Sequence, residues 1–274
     1  MSYILPEGNV QISFSGGRTS AYMLYKILEA NNGLPDRAKV IFTNTGREME
    51  QTLDFVQECS DRWNVNVTWL EYDVVDGKIT YSIVSHSSAS RNGEPFEKLL
   101  KKKKFMPSPM ARFCTTELKM FTIKRYIRNP LDVGWNTWTQ AVGIRADEAH
   151  RVKTQSKDKW SYWYPLVNSF VTKTIVGNFW KSQKFDLMLP NYNGKTPSGN
   201  CDFCFLKSED ATAYMIRNHP ERMEWWLKVE KEMGFPFRLD RDLSKFKKFL
   251  EDQSDWVFDQ QGYFCQEDGG DCTG

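Results

Sequence analysis

The chain has 274 residues, 40% of them hydrophobic and 14% aromatic, and its net charge is only +2. This length suits one large domain or a domain with a helical appendage, and the composition excludes a disordered chain. The small net charge gives no global argument for binding nucleic acid. Because the chain shows no charged-then-apolar signal pattern and no apolar run of membrane-spanning length, we expect a cytoplasmic protein that does not contact a membrane.

Strands and helices alternate through the first part of the chain. Predicted strands cover 9–15, 39–46 and 66–73, which are rich in β-prone residues. Predicted helices cover 20–33 and 47–64, where apolar residues recur at helical spacing. This alternation requires crossover connections between strands, which predicts a parallel α/β sheet covered by helices.

The remaining pattern is more varied. Residues 74–109 are polar and irregular, so we expect an insertion or an active-site loop there. A helix is predicted over 117–127, a strand over 137–145 and a further helix over 171–183. From 210 to 258 the pattern is mostly helical.

We divide the chain after residue 208. Residues 1–208 are expected to form a nucleotide-binding α/β domain, and residues 209–274 a helical C-terminal region that ends in a glycine-rich tail with cysteines. No obvious linker separates the two parts.

A polar, glycine-containing turn follows the first predicted strand. Its sequence SGGRTS comprises Ser15, Gly16, Gly17, Arg18, Thr19 and Ser20. Glycine lets backbone N–H groups approach an anion closely, and the start of the next helix adds N–H donors with a partial positive charge. The hydroxyl groups and the Arg18 guanidinium add further donors. These features predict a phosphate cradle, and the alternative is a tight turn with a serine cap.

The six cysteines are Cys59, Cys114, Cys201, Cys204, Cys265 and Cys272. A disulfide framework is improbable without an export signal. Cys201 and Cys204 form a C-x-x-C pair, a spacing that suits two ligands of one metal ion or cluster. Cys59 falls on the apolar face of the second helix, where we expect it to be part of the core. Ordinary buried or surface thiols are the alternative for the others.

The SGGRTS turn resembles the pyrophosphate-binding loop of the PP-loop ATP pyrophosphatase superfamily, whose usual form is S-G-G-x-D-S. Ser15, Gly16, Gly17 and Ser20 match that form, whereas Thr19 stands at the aspartate position. A carboxylate that could hold Mg²⁺ is therefore missing from the loop, and a role for Mg²⁺ stays open.

Three further segments are similar, in the same order, to the phosphoadenylyl-sulfate (PAPS) reductase family. They are VIFTNTGREMEQTLDFV, AVGIRADEAHR and YPLVNSFVTKTIVGNFW. The resemblance implies the adenine-nucleotide α-hydrolase fold, a doubly wound parallel sheet. It also implies that ATP or a sulfated adenylate binds at the cradle.

The same resemblance assigns roles to individual residues. It places Asn44, Thr45, Gly46 and Gly143 among the nucleotide-binding residues, together with the SGGRTS turn. It places Arg145, Glu148 and Arg151 in the catalytic set. Guanidinium groups bind phosphate or sulfate oxygens in a bidentate manner, which suits both arginines. Pairing with Glu148 and Asp147 on a solvated helix face is the alternative.

Adenylyl-sulfate reductases that hold a 4Fe–4S cluster show a Cys-Cys pair and, well downstream, a C-x-x-C pair. Cys114, Cys201 and Cys204 occupy similar places, with Thr115 where the second cysteine of the first pair would be. We expect a 4Fe–4S cluster on these three, with zinc as the alternative metal. The fourth ligand is Cys272 or Cys265, or the position is open; we favour Cys272.

The lysine run Lys101 to Lys104 concentrates positive charge beside these segments. It could follow a nucleic-acid backbone, and the alternative is a solvated loop.

We therefore expect an adenine-nucleotide-binding, iron–sulfur enzyme of sulfur metabolism. Its reaction would be sulfonucleotide reduction, or ATP-dependent adenylation with sulfur transfer, with nucleic acid as one possible acceptor. Reductases of the family carry a nucleophilic cysteine in a C-terminal E-C-G-[IL]-H segment that this sequence lacks. The rival is a non-catalytic nucleotide-binding or scaffold protein with a structural zinc site, which Thr19 favours.

Overall fold

The computed structural model describes residues 3–153, 159–192, 195–236 and 242–252. Within these residues the strands belong to a six-stranded sheet. The strands are β1 (Val10–Ser13), β2 (Ala38–Asn44), β3 (Val67–Val75), β4 (Lys78–Val84), β5 (Trp138–Ala141) and β6 (Trp160–Trp163).

The sheet order is β4-β3-β2-β1-β5-β6, and every neighbouring pair is parallel except β3 and β4. The chain builds outward from β1 to one side and then to the other, so the sheet is doubly wound, as expected. In such sheets ligands bind beyond the carboxyl ends of the strands, at the point where the direction of winding reverses. Here that point lies between β1 and β5.

Helices cover both faces of the sheet. They are α1 (Arg18–Asn31), α2 (Glu50–Arg62), α3 (Glu94–Lys103), α4 (Thr122–Arg128), α5 (Pro165–Asn168), α6 (Lys173–Ser182), α7 (Glu209–Asn218), α8 (Pro220–Met233) and α9 (Leu243–Asp252). Successive side chains of a strand point to opposite faces. Accordingly, Val40 and Phe42 pack into one buried apolar cluster and Ile41 into another. None of the described helices is long and apolar enough to cross a membrane.

The segment 74–109 was expected to be irregular, and this prediction is wrong for much of its length. It contains β4 and α3. β3 and β4 form a hairpin whose two loop residues, Asp76 and Gly77, both have positive φ. An Asp-Gly pair is a strong signal for such a turn, because both positions of the tight hairpin loop require positive φ. The polar composition of β4 reflects its place at the edge of the sheet.

The helix predicted over 117–127 is present, but its first part is a π-helix over Thr115–Phe121 that runs into α4. In it the Thr122 hydroxyl donates to the carbonyl of Glu117 at 2.8 Å. π-Helical turns are rare and often occur at functional sites. This one begins directly after Cys114.

The C-terminal region is helical, as expected, in its described part. Trp226 of α8 is fully buried, and its ring lies 5.4 Å from that of Phe96 of α3. Residues of α7, α8 and α9 join the same apolar cluster as β1 and β2. The division of the chain after residue 208 stays a prediction.

Candidate functional site

The SGGRTS turn connects β1 to α1 at the reversal point of the sheet. Gly16 has φ +80°, and a Cβ there would lie 2.7 Å from Cγ2 of Thr52. Gly17 caps α1 without a side-chain hydrogen bond, so the serine-cap alternative does not describe this turn. Instead, the Ser20 hydroxyl donates to the carbonyl of Gly17 and accepts from the backbone N–H of Ser15. The turn is thus held from within, at a helix start that favours an anion.

In front of the turn lies a cavity of about 580 Å³, part of which is open to solvent. Its wall consists of residues 15–19, Arg145, one face of the start of α6, and Gly199 with Asn200. Parts of the chain that follow β1, β5 and β6 therefore meet at this one cavity. We call it the cradle.

Arg145 is the predicted catalytic residue that the structure brings to the cradle. It is 5% exposed, and its Nη1 donates to Oγ1 of Thr19 at 3.1 Å. Asp147 accepts from its Nε at 3.1 Å, and Glu148 lies 3.4 Å from its Nη2. The guanidinium thus contacts two carboxylates on one side and the SGGRTS turn on the other. Its charge is partly balanced before any ligand binds.

Glu148 and Arg151 lie behind Arg145 rather than in the cradle wall. Glu148 is buried and accepts from the backbone N–H of Arg145, while Arg151 donates to its Oε1 at 2.8 Å. These bonds hold the short 3₁₀-helix Ala146–Arg151 in register with the end of β5. We therefore assign both residues a positioning role.

Gly143 lets this strand end approach α1. A Cβ at this position would lie 3.2 Å from Cα of Ser20, tighter than most side-chain contacts. The close approach brings Arg145, two residues further on, to the PP-loop.

Arg18 lines the cradle, but its charge is already paired. Its Nε and Nη2 donate to the two carboxylate oxygens of Asp186 at 2.6 and 2.8 Å. Its carbonyl accepts from the Trp180 indole at 2.9 Å. Bidentate pairing of this kind fixes the start of α1 against the segment after α6.

Sequence reasoning missed two polar groups of the cradle. Oγ1 of Thr52 is buried without a hydrogen-bond partner, which is unusual for a buried hydroxyl. Lys173, the first residue of α6, is half-buried in the cradle wall. Burial lowers its pKa from the ordinary value of 10.5, and Lys195 and Arg145 lower it further while Asp147 opposes them. Both residues lie in segments that resemble the PAPS reductase family, but the sequence analysis did not single them out, because a threonine in a helix and a lysine at a helix start are common.

Asn44, Thr45 and Gly46 are not in the cradle wall. The Asn44 amide donates to Oε1 of Glu71 at 2.6 Å. Gly46 has φ +78°, and a Cβ there would lie 2.9 Å from Cα of Gly93. These two residues shape the turn after β2, and Thr45 lines a different cavity.

That second cavity, of about 410 Å³, is lined by Cys114, Cys201 and Cys204. We call it the thiol cavity. Its other lining residues include the apolar side chains Phe96, Leu118, Phe205, Leu206 and Trp226. Cys114 thus lines the same largely apolar cavity as the C-x-x-C pair, although it lies far from that pair in sequence.

The polar neighbours of Cys201 lie on the β2 side. Oγ1 of Thr45 is 3.2 Å from its Sγ, and Oε1 of Glu48 is 3.8 Å away. Glu48 is buried and accepts from the backbone N–H of Thr45 at 2.9 Å. Hydrogen bonds near a sulfur tune the properties of a metal that it binds.

The loop between the two cysteines is anchored by Asp202, which is fully buried. Its carboxylate accepts from Arg47 at 2.6 and 3.0 Å, from the Trp226 indole at 2.8 Å, and from Arg222. Asn200 and Phe203 both have positive φ, so the loop is tightly turned on either side of Asp202. This network ties the C-x-x-C loop to α8 and to the turn after β2.

The chemistry of three thiols suits either a zinc ion or an iron–sulfur cluster. Two sulfurs on one zinc lie about 4 Å apart, since each Zn–S bond is about 2.3 Å. Among the described residues, the group that brings three ligand atoms within 4.8 Å of one another is Glu50, Asp54 and His86, and the cysteines form no such group. Cys265 and Cys272 lie outside the described residues, so the fourth ligand stays a prediction. Cys59 is buried in the core, as expected.

The lysine run closes α3. Lys103 pairs with Glu117 at 2.8 Å, Lys102 donates to the carbonyl of Gly77, and Lys101 lies 3.9 Å from Glu97. Cations in the last turn of a helix are stabilised by its dipole. These contacts give the run a structural role at the helix end.

Comparisons with known proteins agree with part of this description. The family model for the phosphoadenosine phosphosulfate reductase domain matches residues 9–160. The uncharacterized nin region protein ORF290 of Escherichia phage lambda is 31% identical over 204 residues, which cover 72% of this chain and 66% of that protein. The matched segment thus spans just under two thirds of that relative.

Among solved structures, the U34-tRNA thiolase NcsA from Methanococcus maripaludis, solved with its [4Fe-4S] cluster, is similar with a TM-score of 0.41 and 14% identity. The match covers 88% of this chain and 78% of that one. At that score and identity the likeness supports no conclusion about this chain.

Proposed function

The chain belongs to the phosphoadenosine phosphosulfate reductase domain family, and from that membership we propose that it is an adenine-nucleotide-binding, iron–sulfur enzyme of sulfur metabolism. The observation that carries the proposal is that consecutive residues of the chain line its two cavities. Asn200 lines the cradle, and the next residue, Cys201, lines the thiol cavity. A nucleotide in the first would lie close to a group held in the second.

The cradle supplies nucleotide binding. Backbone N–H groups at the start of α1 and the guanidinium of Arg145 suit phosphate or sulfate oxygens. The ligand is ATP or a sulfated adenylate.

The thiol cavity would hold a 4Fe–4S cluster on Cys114, Cys201 and Cys204, with Cys272 as the proposed fourth ligand. Such a cluster supplies electron transfer or an iron that binds sulfur. The surrounding residues act on this site directly. Phe96, Leu118 and Trp226 line the cavity beside the three half-buried thiols, and Asp202 fixes the loop that carries two of them.

Two reactions agree with this arrangement. In one, a sulfated adenylate accepts two electrons from an external thiol or protein reductant and yields the adenylate and sulfite. In the other, ATP adenylates an acceptor, pyrophosphate leaves, and a sulfur donor displaces the adenylate. Products distinguish them: sulfite in the first case and pyrophosphate in the second. Nucleic acid as the acceptor, bound through Lys101 to Lys104, stays a prediction.

The second candidate is a non-catalytic nucleotide-binding or scaffold protein with a structural zinc site. Thr19 in place of a loop aspartate favours it. Metal analysis separates the candidates, because thiolate-bound iron absorbs broadly in the visible range and zinc is colourless.

The test is the iron, sulfide and zinc content of protein purified without oxygen. We expect iron and sulfide in about equal amounts. Cys114→Ala, Cys201→Ala and Cys204→Ala should each lower the iron content, and Cys59→Ala, which changes a buried thiol elsewhere, should leave it unchanged. Cys272→Ala should lower it and Cys265→Ala should not. One zinc and no iron in the parent would overturn the cluster assignment.

A further inference from the structure

The cradle has an unusual charge composition. In the described part of the chain, its lining residues include three cations, Arg18, Arg145 and Lys173, and no aspartate or glutamate. A Mg²⁺ ion bound with a nucleotide is usually held through one or two protein carboxylates as well as the phosphates. Among the described residues, the cradle wall offers no such group, and Thr19 occupies the loop position where one would be expected from the resemblance described above.

The three cations are not equivalent. Arg18 is paired bidentately with Asp186, and Arg145 contacts Asp147 and Glu148. Lys173 makes no hydrogen bond or ion pair with any residue in the described part of the chain. Of the three cradle cations, Lys173 is therefore the one that contacts no carboxylate of the described residues.

The position of Lys173 directs it towards a ligand. It is the first residue of α6, and Val176 and Gly177, one turn further on, line the same cavity. Residues three and four apart share a helix face, so this face of α6 looks into the cradle. Lys173 is also the first residue of this ten-residue helix, whose N-terminus favours an anion.

The surroundings of Lys173 are electropositive. Lys195 and Arg145 act against its charge, and Asp147 is the acidic group that opposes them. A half-buried ammonium group next to two other cations is unfavourable by itself. An anionic ligand would stabilise the charged form of Lys173, because it would interact favourably with Lys173, Lys195 and Arg145.

We propose that Lys173 neutralises the phosphate or sulfate charge of the nucleotide in the cradle, and that the nucleotide therefore binds without a divalent metal ion. This inference rests on the proposed function, since it concerns the ligand of the same cavity. It narrows the ligand to a metal-free anion, such as a sulfated adenylate or free ATP, rather than the magnesium complex of ATP.

The test is calorimetric titration of the full chain with adenylyl sulfate and with ATP, each in excess EDTA and in excess Mg²⁺. The parent should bind at least one of them in EDTA, and Mg²⁺ should not tighten the binding. Lys173→Met should weaken binding about 10-fold or more, as expected for loss of a charged hydrogen bond. Lys173→Arg should retain most of the affinity. Lys181→Met, an exposed lysine on the same helix, should behave as the parent.

A stability measurement separates binding from folding. Since the charged Lys173 is disfavoured in the free protein, Lys173→Met should unfold at the same temperature as the parent or higher. Weak nucleotide binding together with an unchanged or raised melting temperature supports a binding role.

Two results would overturn the inference and leave the cradle in place: binding that requires Mg²⁺, or parent-like affinity of Lys173→Met. If the parent binds no adenine nucleotide in either buffer, the proposed function fails and this inference fails with it.

Discussion

The cradle and the thiol cavity are lined by consecutive residues at Asn200 and Cys201, but the other residues that line them differ in charge and polarity. The wall of the cradle includes hydroxyl groups, the PP-loop-like turn and three cations. The thiol cavity is lined mainly by aromatic and aliphatic side chains around three cysteines. The first suits a hydrated anion and the second a soft metal group that must be kept from water. Because the two meet at Asn200 and Cys201, their functions should be separable by substitution but linked when ligands are bound.

The largest effect is expected from removing Asp202, which anchors the C-x-x-C loop of the thiol cavity. Asp202→Ala would leave Arg47 and Arg222 without their shared buried carboxylate, which should cost about 3–5 kcal/mol of unfolding free energy. Urea denaturation measures this loss. Asp61→Ala, a surface carboxylate, is the control and should change stability little. A stable Asp202→Ala protein with full iron content would show that the network does not hold the loop.

A pair of substitutions tests whether the two cavities act independently. Arg145→Ala removes the guanidinium from the PP-loop and should weaken nucleotide binding by about 10-fold or more, with iron content unchanged. Cys201→Ala should lower iron content and leave nucleotide affinity within about threefold, well under one charged hydrogen bond. Titration calorimetry and iron analysis of both variants give the two readings. If each variant loses both properties, the cavities form one site.

The pH dependence of nucleotide binding tests whether the charge of Lys173 contributes to the affinity of the cradle. The pKa of Lys173 is lowered from 10.5, chiefly by burial and then by Lys195 and Arg145, with Asp147 opposing. The ammonium form exists below that pKa, so nucleotide affinity should fall as pH rises through it, earlier than for an ordinary lysine. Lys173→Arg, which stays charged, should bind equally over the same range. An identical fall in both proteins would assign the effect to another group.

The smallest effect concerns the segment that leads into α6. Phe170 has φ +54° and is 80% exposed at the end of α5, a place that favours glycine. Phe170→Gly should therefore raise the unfolding free energy by up to about 1 kcal/mol. Leu131→Gly, at another exposed apolar residue, should give no gain. Thermal unfolding of both variants is the measurement.

How far the sequence predicts these features depends on whether they are local. The PP-loop is six consecutive residues, and the structure places it where the strand–helix alternation predicted. The cysteines are distant in sequence, yet their spacing resembled a known ligand pattern, and three of them line one cavity. The hairpin of β3 and β4 was missed, although Asp76 and Gly77 signal its turn and apolar residues alternate with polar ones along β4.

Other parts of the site could not be inferred from local pattern. Lys173 resembles any lysine at a helix start, and only the fold shows that it faces Arg145 across a cavity. Thr45 and Asn44 adjoin in sequence, but one lines the thiol cavity and the other bonds Glu71. Successive side chains point to opposite sides at the end of β2, but only the fold shows what lies on each side.

The visible absorption spectrum of protein purified without oxygen, recorded before and after adding adenylyl sulfate or ATP, tests the account most directly. We predict a brown protein with broad absorption that changes when nucleotide is added, because the cradle and the thiol cavity meet at consecutive residues. Arg145→Ala should show the same initial spectrum and little change at the same nucleotide concentration. A colourless protein that contains zinc, or a spectrum that no nucleotide alters, would contradict it.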